Sequence, residues 1–250
     1  VVQDLNRLSY NSFISHLRKI NLPMDSSSKV VKPRLLHGSQ WGIIDPVDTP
    51  DGGNVGFHKH MSIATHITSG CSSYPMMKFF RSILKMKLLE ESNTKFLYSC
   101  TKIMINGSWV GVITNPQETM RIIKKYKRNG LLPIYTSISW NIKKKEIQVY
   151  TDSGRLSRPV FYVDNKKLSF KNKTILEKIS KMDFSWEQLI SGFAKKKDTN
   201  YKVDACKIYE LEELYGTSNF DDLKGSEGII EYLDTAEEET ALISSDYDFN

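Results

Sequence analysis

Apolar positions along this chain recur with helical spacing in some stretches, alternate in others, and follow neither rule in one long segment near the start. Residues 3–20, QDLNRLSYNSFISHLRKI, predict a helix, since Phe13, Leu17 and Ile20 stand at i, i+4 and i+7. Eleven residues make nearly three turns, so Arg7, Asn11 and Arg18 would lie within about 40° of one another on that helix. Pro23 to Lys29 reads as a polar loop. Residues 32–60 then carry many breakers, including Pro33, Gly38, Gly42, Pro46, Pro50, Gly52, Gly53 and Gly56. Leu35, Trp41, Ile43, Val55 and Phe57 are interspersed among them, which predicts an ordered, site-forming segment rather than a disordered one.

Further along, the signals are sharper. Residues 76–89 predict an amphipathic helix with Met76, Phe80, Ile83 and Leu84 on its apolar side. Ile103–Ile105 and Trp109–Ile113 flank Asn106-Gly107, the pair that a two-residue hairpin turn with positive φ angles requires. Asn115, Pro116 and Glu118 together mark the start of a helix over 116–128, and Asn129-Gly130 its end. Ile138/Trp140/Ile142 and Ile147/Val149 alternate as strands around Lys143-Lys144-Lys145, with a turn at Asp152-Ser153-Gly154 before a strand over 159–163. Residues 174–193 return to helical spacing. The polar stretch 194–228 reads as part helix and part mobile loop, and 229–243 closes with apolar ends around Glu237-Glu238-Glu239. The fold class is α+β with several modules, which 250 residues at 40% apolar content can support.

Charge adds an asymmetry. The net +6 conceals +2 over residues 1–66, +16 over 67–207 and −12 over 208–250. A basic body with an acidic end implies a polyanionic partner on one side and a cationic one on the other. Cys71, Cys100 and Cys206 are odd in number and far apart, so neither a disulfide framework nor a four-cysteine zinc site is expected. No run reaches the roughly 18 apolar residues of a membrane span, and no signal pattern opens the chain, so a soluble intracellular protein is expected. With Val1 at the start and Asp246-Tyr247-Asp248-Phe249-Asn250 at the end, the sequence reads as an internal piece of a longer one.

Candidate chemistry is sparse. Gly52-Gly53-Asn54-Val55-Gly56 fits neither GxGxxG nor GxxxxGK[ST]. His58 and His60 would share a face of a strand, with no cysteine or converging carboxylates to complete a metal site. Asp45, Asp48 and Asp51 could hold Mg²⁺ or act as acid and base, but among so many prolines and glycines they favour bonds to turn amides. No Ser/His/Asp or Cys/His grouping has the spacing of a nucleophile motif.

The order of several motifs says more. Ser15-His16-Leu17-Arg18-Lys19, Lys32-Pro33-Arg34-Leu35-Leu36-His37, Trp41-Gly42 and Pro46-Val47-Asp48-Thr49-Pro50-Asp51-Gly52-Gly53-Asn54-Val55-Gly56 follow one another here. Together they resemble the second-largest subunit of multisubunit DNA-directed RNA polymerases, whose pattern runs SHLRR, KPRxLH, WG, PxETPEGxxxGL. Asn106-Gly107-Ser108-Trp109-Val110-Gly111, Asp152-Ser153-Gly154-Arg155-Leu156-Ser157-Arg158-Pro159 and Glu231-Tyr232-Leu233-Asp234-Thr235-Ala236-Glu237-Glu238-Glu239 extend the resemblance over nearly the whole chain, 194–226 excepted.

The resemblance implies that residues 1–66 form the fork, over the active centre beside downstream DNA and the RNA–DNA hybrid. Residues 67–158 would be a first external domain, 159–228 a second, and 229–250 the start of a return toward the fork and hybrid-binding parts. It implies phosphate contacts from Arg18, Lys19, Lys29, Lys32 and Arg34, which position nucleic acid without reading sequence. It also implies an active-centre scaffold of His37, Trp41, Thr49, Pro50, Asp51, Gly52, Asn54 and Gly56. Synthesis of RNA from ribonucleoside triphosphates would use Mg²⁺ held by the largest subunit, with no catalytic residue, metal or cofactor in this segment. DNA template, RNA–DNA hybrid, the largest subunit and smaller subunits are the implied partners, with no membrane, in the nucleus or, for a viral enzyme, the cytoplasm or virion. Asp51 replaces the family's Glu, the loop Met24–Lys29 lacks the Gly and Arg usual in cellular relatives, and Gly38-Ser39-Gln40 precedes Trp41. These departures suggest a divergent polymerase, such as that of a large DNA virus. Two other readings compete: a free-standing basic nucleic-acid-binding module, and a metal-dependent hydrolase using Asp45, Asp48 and Asp51 with His58 and His60.

Overall fold

In the computed structural model, which describes residues 2–164, 166–171, 173–197 and 207–244, the first helix is shorter than its periodicity predicts. Helix α1 spans Tyr10–Leu17. Ser9 starts it: its Oγ accepts the Ser12 N–H at 3.2 Å while Ser12 Oγ accepts the Ser9 N–H at 3.0 Å. That reciprocal cap satisfies two of the orphan donors of a helix end and fixes Ser9 in extended geometry, so residues 2–8 stay outside the helix. The expected common face of Arg7, Asn11 and Arg18 therefore does not form. Ile20 instead lies in strand β1 (Lys19–Asn21), which pairs antiparallel with β2 (His58–His60).

The chain packs as two compact units. Unit 1 runs to His66 and takes in Leu156–Arg158; unit 2 holds Ile67–Arg155 and the chain from Pro159 onward. Unit 1 is poor in regular structure, and its fully buried apolar side chains are few, chiefly Ile43 and Phe57. Backbone and side-chain hydrogen bonds hold it instead. The short strand β3 (His66–Ile67) marks the boundary.

Unit 2 is built around a five-stranded sheet. Helix α2 (Ser73–Ser82) begins at the Ser72 cap and stops before the 76–89 pattern ends, because Lys85 turns with φ 54° and Met86 N–H returns to Phe80 O at 2.9 Å. Then come β4 (Lys87–Leu88), α3 (Thr94–Ser99), β5 (Thr101–Ile105), β6 (Ser108–Ile113), α4 (Pro116–Arg128), β7 (Ser137–Asn141) and β8 (Glu146–Tyr150). The sheet order is β4-β6-β5-β8-β7, with β5 and β8 parallel and the other pairs antiparallel. Asn106 and Gly107 turn the predicted hairpin with φ of 48° and 82°. Asn115 caps α4 through the Glu118 N–H at 3.3 Å.

Ile103, Ile105, Ile147 and Val149 meet Phe79, Phe80 and Tyr126 in one hydrophobic cluster. Tyr209, Leu211, Leu214 and Leu223 pack into the same cluster, although the polar stretch 194–228 gave no sign of a core contribution. Of that stretch, residues 198–206 lie outside the described residues, and α7 falls at Leu211–Tyr215. Strand β9 (Leu156–Phe161) begins earlier than expected, and the hairpin β10 (Val163–Asp164) and β11 (Lys167–Leu168) follows. Helices α5 (Lys173–Ser180) and α6 (Trp186–Ser191) fill the predicted helical stretch, α6 with a Ser185/Gln188 capping box. Strand β12 (Ile230–Asp234) leads into the single turn α8 (Thr235–Glu238). The class is α+β.

The acidic end finds cations inside unit 2. Arg128, at the end of α4, pairs through Nε with Glu231 and lies 3.5 Å from the centre of the Tyr162 ring. Arg155 Nη1 meets Asp234 Oδ2 at 2.8 Å and its Nη2 donates to Tyr135 O at 2.7 Å. Lys127 Nζ donates to Tyr232 O at 2.9 Å and stands 3.6 Å from Glu237. These groups are largely buried, where an ion pair survives only with its remaining valences satisfied. The charge split thus has, for these three carboxylates, an internal partner rather than the external one the sequence suggested. Burial outweighs the attraction of Lys127 and pushes the Glu237 carboxyl from 4.5 to about 7.

Candidate nucleic-acid interface

Within unit 1 the breaker-rich segment folds into a closed turn over residues 45–58. Asp45 Oδ1 accepts the N–H groups of Val47 at 2.8 Å and Asp48 at 3.2 Å, the Asx arrangement that starts a turn. Thr49 Oγ1 donates to His58 O and accepts the Gly56 N–H, both at 2.9 Å, which closes it. Gly52 and Gly56 take φ of 78° and 73°, the left-handed region that side chains disfavour. At Gly56 the need is double, because a Cβ there would stand 2.5 Å from Arg34 Cα and 2.6 Å from its carbonyl oxygen.

Arg34 binds this turn to the preceding loop. Its Nη1 donates to Gly53 O and Val55 O at 2.7 Å each, and its Nη2 to Ser28 O at 3.0 Å and Ser26 O at 3.5 Å. Nε donates to Val30 O at 3.3 Å, and the guanidinium lies 3.9 Å from the centre of the buried Phe57 ring. A guanidinium has five N–H bonds. All five are engaged with backbone carbonyls, which leaves none for phosphate. The expected phosphate contact at Arg34 therefore gives way to an internal clamp. No sequence signal announces it, because the acceptors are backbone atoms of two separate segments.

The other scaffold residues take distinct places. His37 caps a short turn, its Nδ1 accepting the Ser39 N–H at 3.2 Å. Trp41 is 59% exposed. Pro50 is half-buried, and Asp51, Gly52 and Asn54 are exposed at the outer edge of the turn. Gly42, beside Trp41, has φ 73° and lies against the Arg158 guanidinium, which a Cβ would meet at 2.5 Å.

Four cations remain available to a ligand. Arg18 uses Nη2 on Ser62 O at 2.6 Å and Thr65 O at 3.0 Å, while its Nη1 and Nε make no hydrogen bond among the described residues. Lys29 and Lys32 are exposed, and neither ammonium has an acceptor among the described residues. Lys19 lines a cleft of about 540 Å³ with Arg7, Ser12, Ser15, His16 and His60. Burial, then the nearby Lys19 and His60, holds His58 below the usual imidazole range. The structure thus brings Arg7 to Lys19 through the cleft, not to Arg18 along a helix.

The carboxylates do not converge. Asp45 serves its own turn, Asp48 accepts from Ser15 Oγ at 3.0 Å and stands 3.4 Å from His60, and Asp51 projects outward. His58 Nδ1 meets Asn21 Oδ1 at 2.6 Å instead of a common ligand. Among the described residues no group of three or more His, Cys, Asp or Glu could hold a metal ion, and no helix is long and apolar enough to cross a membrane.

A breaker-rich turn clamped by arginine, with exposed lysines on the loop before it, thus precedes an α+β unit in the chain. Residues 3–67, 103–164 and 220–248 match the families described as RNA polymerase Rpb2, domains 3, 4 and 5 respectively. The chain belongs to the second-largest RNA polymerase subunit family. It is 34% identical over 98% of its length to DNA-directed RNA polymerase II subunit 2 of Arabidopsis thaliana, and 33% over 98% to subunit RPB2 of Schizosaccharomyces pombe. DNA-directed RNA polymerase subunit 2 of Acanthamoeba polyphaga mimivirus is 32% identical over 76% of the chain and is covered over 16% of its own length. The chain spans 18% of the length of the Arabidopsis and fission-yeast relatives.

Proposed function

We propose that this chain is a segment of a DNA-directed RNA polymerase, an enzyme that polymerises ribonucleoside triphosphates on a DNA template. Unit 1 shapes part of the active-centre cleft. The observation that carries this reading is the Arg34 clamp with the Thr49–Gly56 closure, inside the residues that match domain 3. It holds the outer edge of the turn, Asp51, Gly52 and Asn54, in one shape without a hydrophobic core. Arg18, Lys19, Lys29 and Lys32 contact phosphates of the DNA or the RNA–DNA hybrid, and exposed Trp41 meets another part of the polymerase. The segment organises the reaction, and Asp45 and Asp48 serve separate contacts while Asp51 is exposed, rather than sharing a common metal site. The Mg²⁺ that phosphoryl transfer requires belongs to the largest subunit. Residues 67–158 and 159–228 act as the two external domains, sharing the hydrophobic cluster around Phe79 and Tyr209, and 229–250 begins the return toward the hybrid.

The test is the salt dependence of elongation-complex stability in the assembled polymerase. Each phosphate contact contributes about 0.7 to 0.9 to the log–log slope, so Lys29→Ala/Lys32→Ala should lower it by about 1.5. A slope equal to that of the unaltered enzyme sinks the phosphate-contact role of both lysines.

A further inference from the structure

One face of the five-stranded sheet packs against α2 and α4, and along the other the strand residues stay partly exposed among the described residues. Along β5 and β8 the alternation is plain: Ile103, Ile105, Ile147 and Val149 are buried, whereas Lys102, Met104, Glu146, Gln148 and Tyr150 are half-exposed. The register sets Met104 beside Trp109 on one side and Gln148 on the other, so these side chains share the open face. Trp109 remains 38% exposed there, and Tyr98, in α3 next to the sheet, is 87% exposed.

Cations are threaded between these rings. Lys102 Nζ stands 5.3 Å from the Trp109 ring centre and Lys145 Nζ 5.8 Å from that of Tyr98. The Lys102 N–H donates to Lys145 O at 2.8 Å, which joins the two pairs into one surface. Lys143, Lys144 and Lys145 form the exposed turn between β7 and β8. Over 94–117 and 137–150 there are five lysines and one acid, Glu146, which lies 3.4 Å from Lys102. Within these ranges lysines outnumber acids, and the one carboxylate is already matched.

We propose that this open sheet face, with Tyr98 and the Lys143–Lys145 turn, binds single-stranded nucleic acid. Single strands need both features found here: rings on which bases stack, and ammonium groups that follow the phosphates. A duplex offers phosphates but keeps its bases stacked on one another, so it would leave Tyr98 and Trp109 unused. An acidic peptide would satisfy the lysines but not the rings. The lysines hover over the rings without hydrogen bonds to them, so they can move onto phosphates as bases take their place. The proposal concerns unit 2 and does not rest on the role given to unit 1.

The experiment is ultraviolet crosslinking of a short oligouridylate to the assembled polymerase, with the crosslinked peptides mapped. Crosslinks within 94–113 are expected, with a yield about tenfold lower in Tyr98→Ala/Trp109→Ala and restored in Tyr98→Phe/Trp109→Phe, which keeps the rings. Lys143→Ala/Lys144→Ala/Lys145→Ala should lower the salt slope of those crosslinks by about 2. The Lys29→Ala/Lys32→Ala enzyme should leave them unchanged, so this surface and unit 1 are read separately. Absence of crosslinks in 94–113 overturns the proposal. So does equal competition by duplex DNA, and displacement by polyglutamate alone would identify a protein-docking face instead.

Discussion

Replacing Arg34 separates a clamp from a phosphate contact. In Arg34→Ala, five N–H donors to backbone carbonyls disappear, together with the contact to Phe57. Each bond contributes about 0.5 to 1.5 kcal/mol net, and the ring contact about 0.5 to 1 at a half-exposed site. The bonds are not additive, the one at 3.5 Å is weak, and water can reach several of the freed carbonyls. A local loss of about 3 kcal/mol is therefore expected, roughly a hundredfold in the opening equilibrium. Amide hydrogen exchange of the polymerase reads this directly, because Val55 N–H bonds Gly52 O, Phe57 N–H bonds Asn54 O and Ser28 N–H bonds Asp25 O within the two clamped segments. Exchange at these amides should accelerate by about two orders of magnitude, with amides of the five-stranded sheet unaffected. Arg34→Lys should restore little, since an ammonium cannot span carbonyls of both segments as the planar fork does. Wild-type exchange in Arg34→Ala, together with a salt slope lowered by about 0.9 and restored by lysine, would refute the clamp and reinstate a phosphate contact.

Two other outcomes follow from the same structure. Gly56→Ala places a methyl 2.5 Å from Arg34 Cα at φ 73°, so it should destabilise unit 1 by about 2 kcal/mol or more, read as faster exchange at the Phe57 amide. For Glu237, the folded carboxyl titrates at about 7 against 4.5 when unfolded, so the folded state binds more protons between those values. Its contribution to stability is fully present below about pH 4.5 and declines as pH rises toward 7. In Glu237→Gln that decline should vanish, so the difference in melting temperature between variant and wild type should widen in the variant's favour from pH 5 to pH 8. A pH-independent difference would show that the buried carboxyl stays ionised beside Lys127.

What the sequence determined by itself is what neighbours in the chain decide. The Asn106-Gly107 hairpin and the Asn115-Pro116 start of α4 were legible because turn conformation and end-capping are settled within four residues. The turn-building role of Asp45 was legible for the same reason, as its partners are two and three residues away. The family resemblance came from the order of whole motifs, which no single spacing supplies. Local signals failed where a cap overrode periodicity, as Ser9 did by starting α1 seven residues late. Only the tertiary structure decided the rest. Arg34 has the look of a surface cation in a Lys-Pro-Arg motif, yet its acceptors are carbonyls that come together only when residues 26–30 and 53–55 fold around it. Glu231, Asp234 and Glu237 belong to an acidic end whose charge pointed to an external cationic partner, yet they reach Arg128, Arg155 and Lys127 across 79 to 110 residues of chain. Charge pairing and carbonyl clamping depend on distance in space, and a sequence records only distance along the chain.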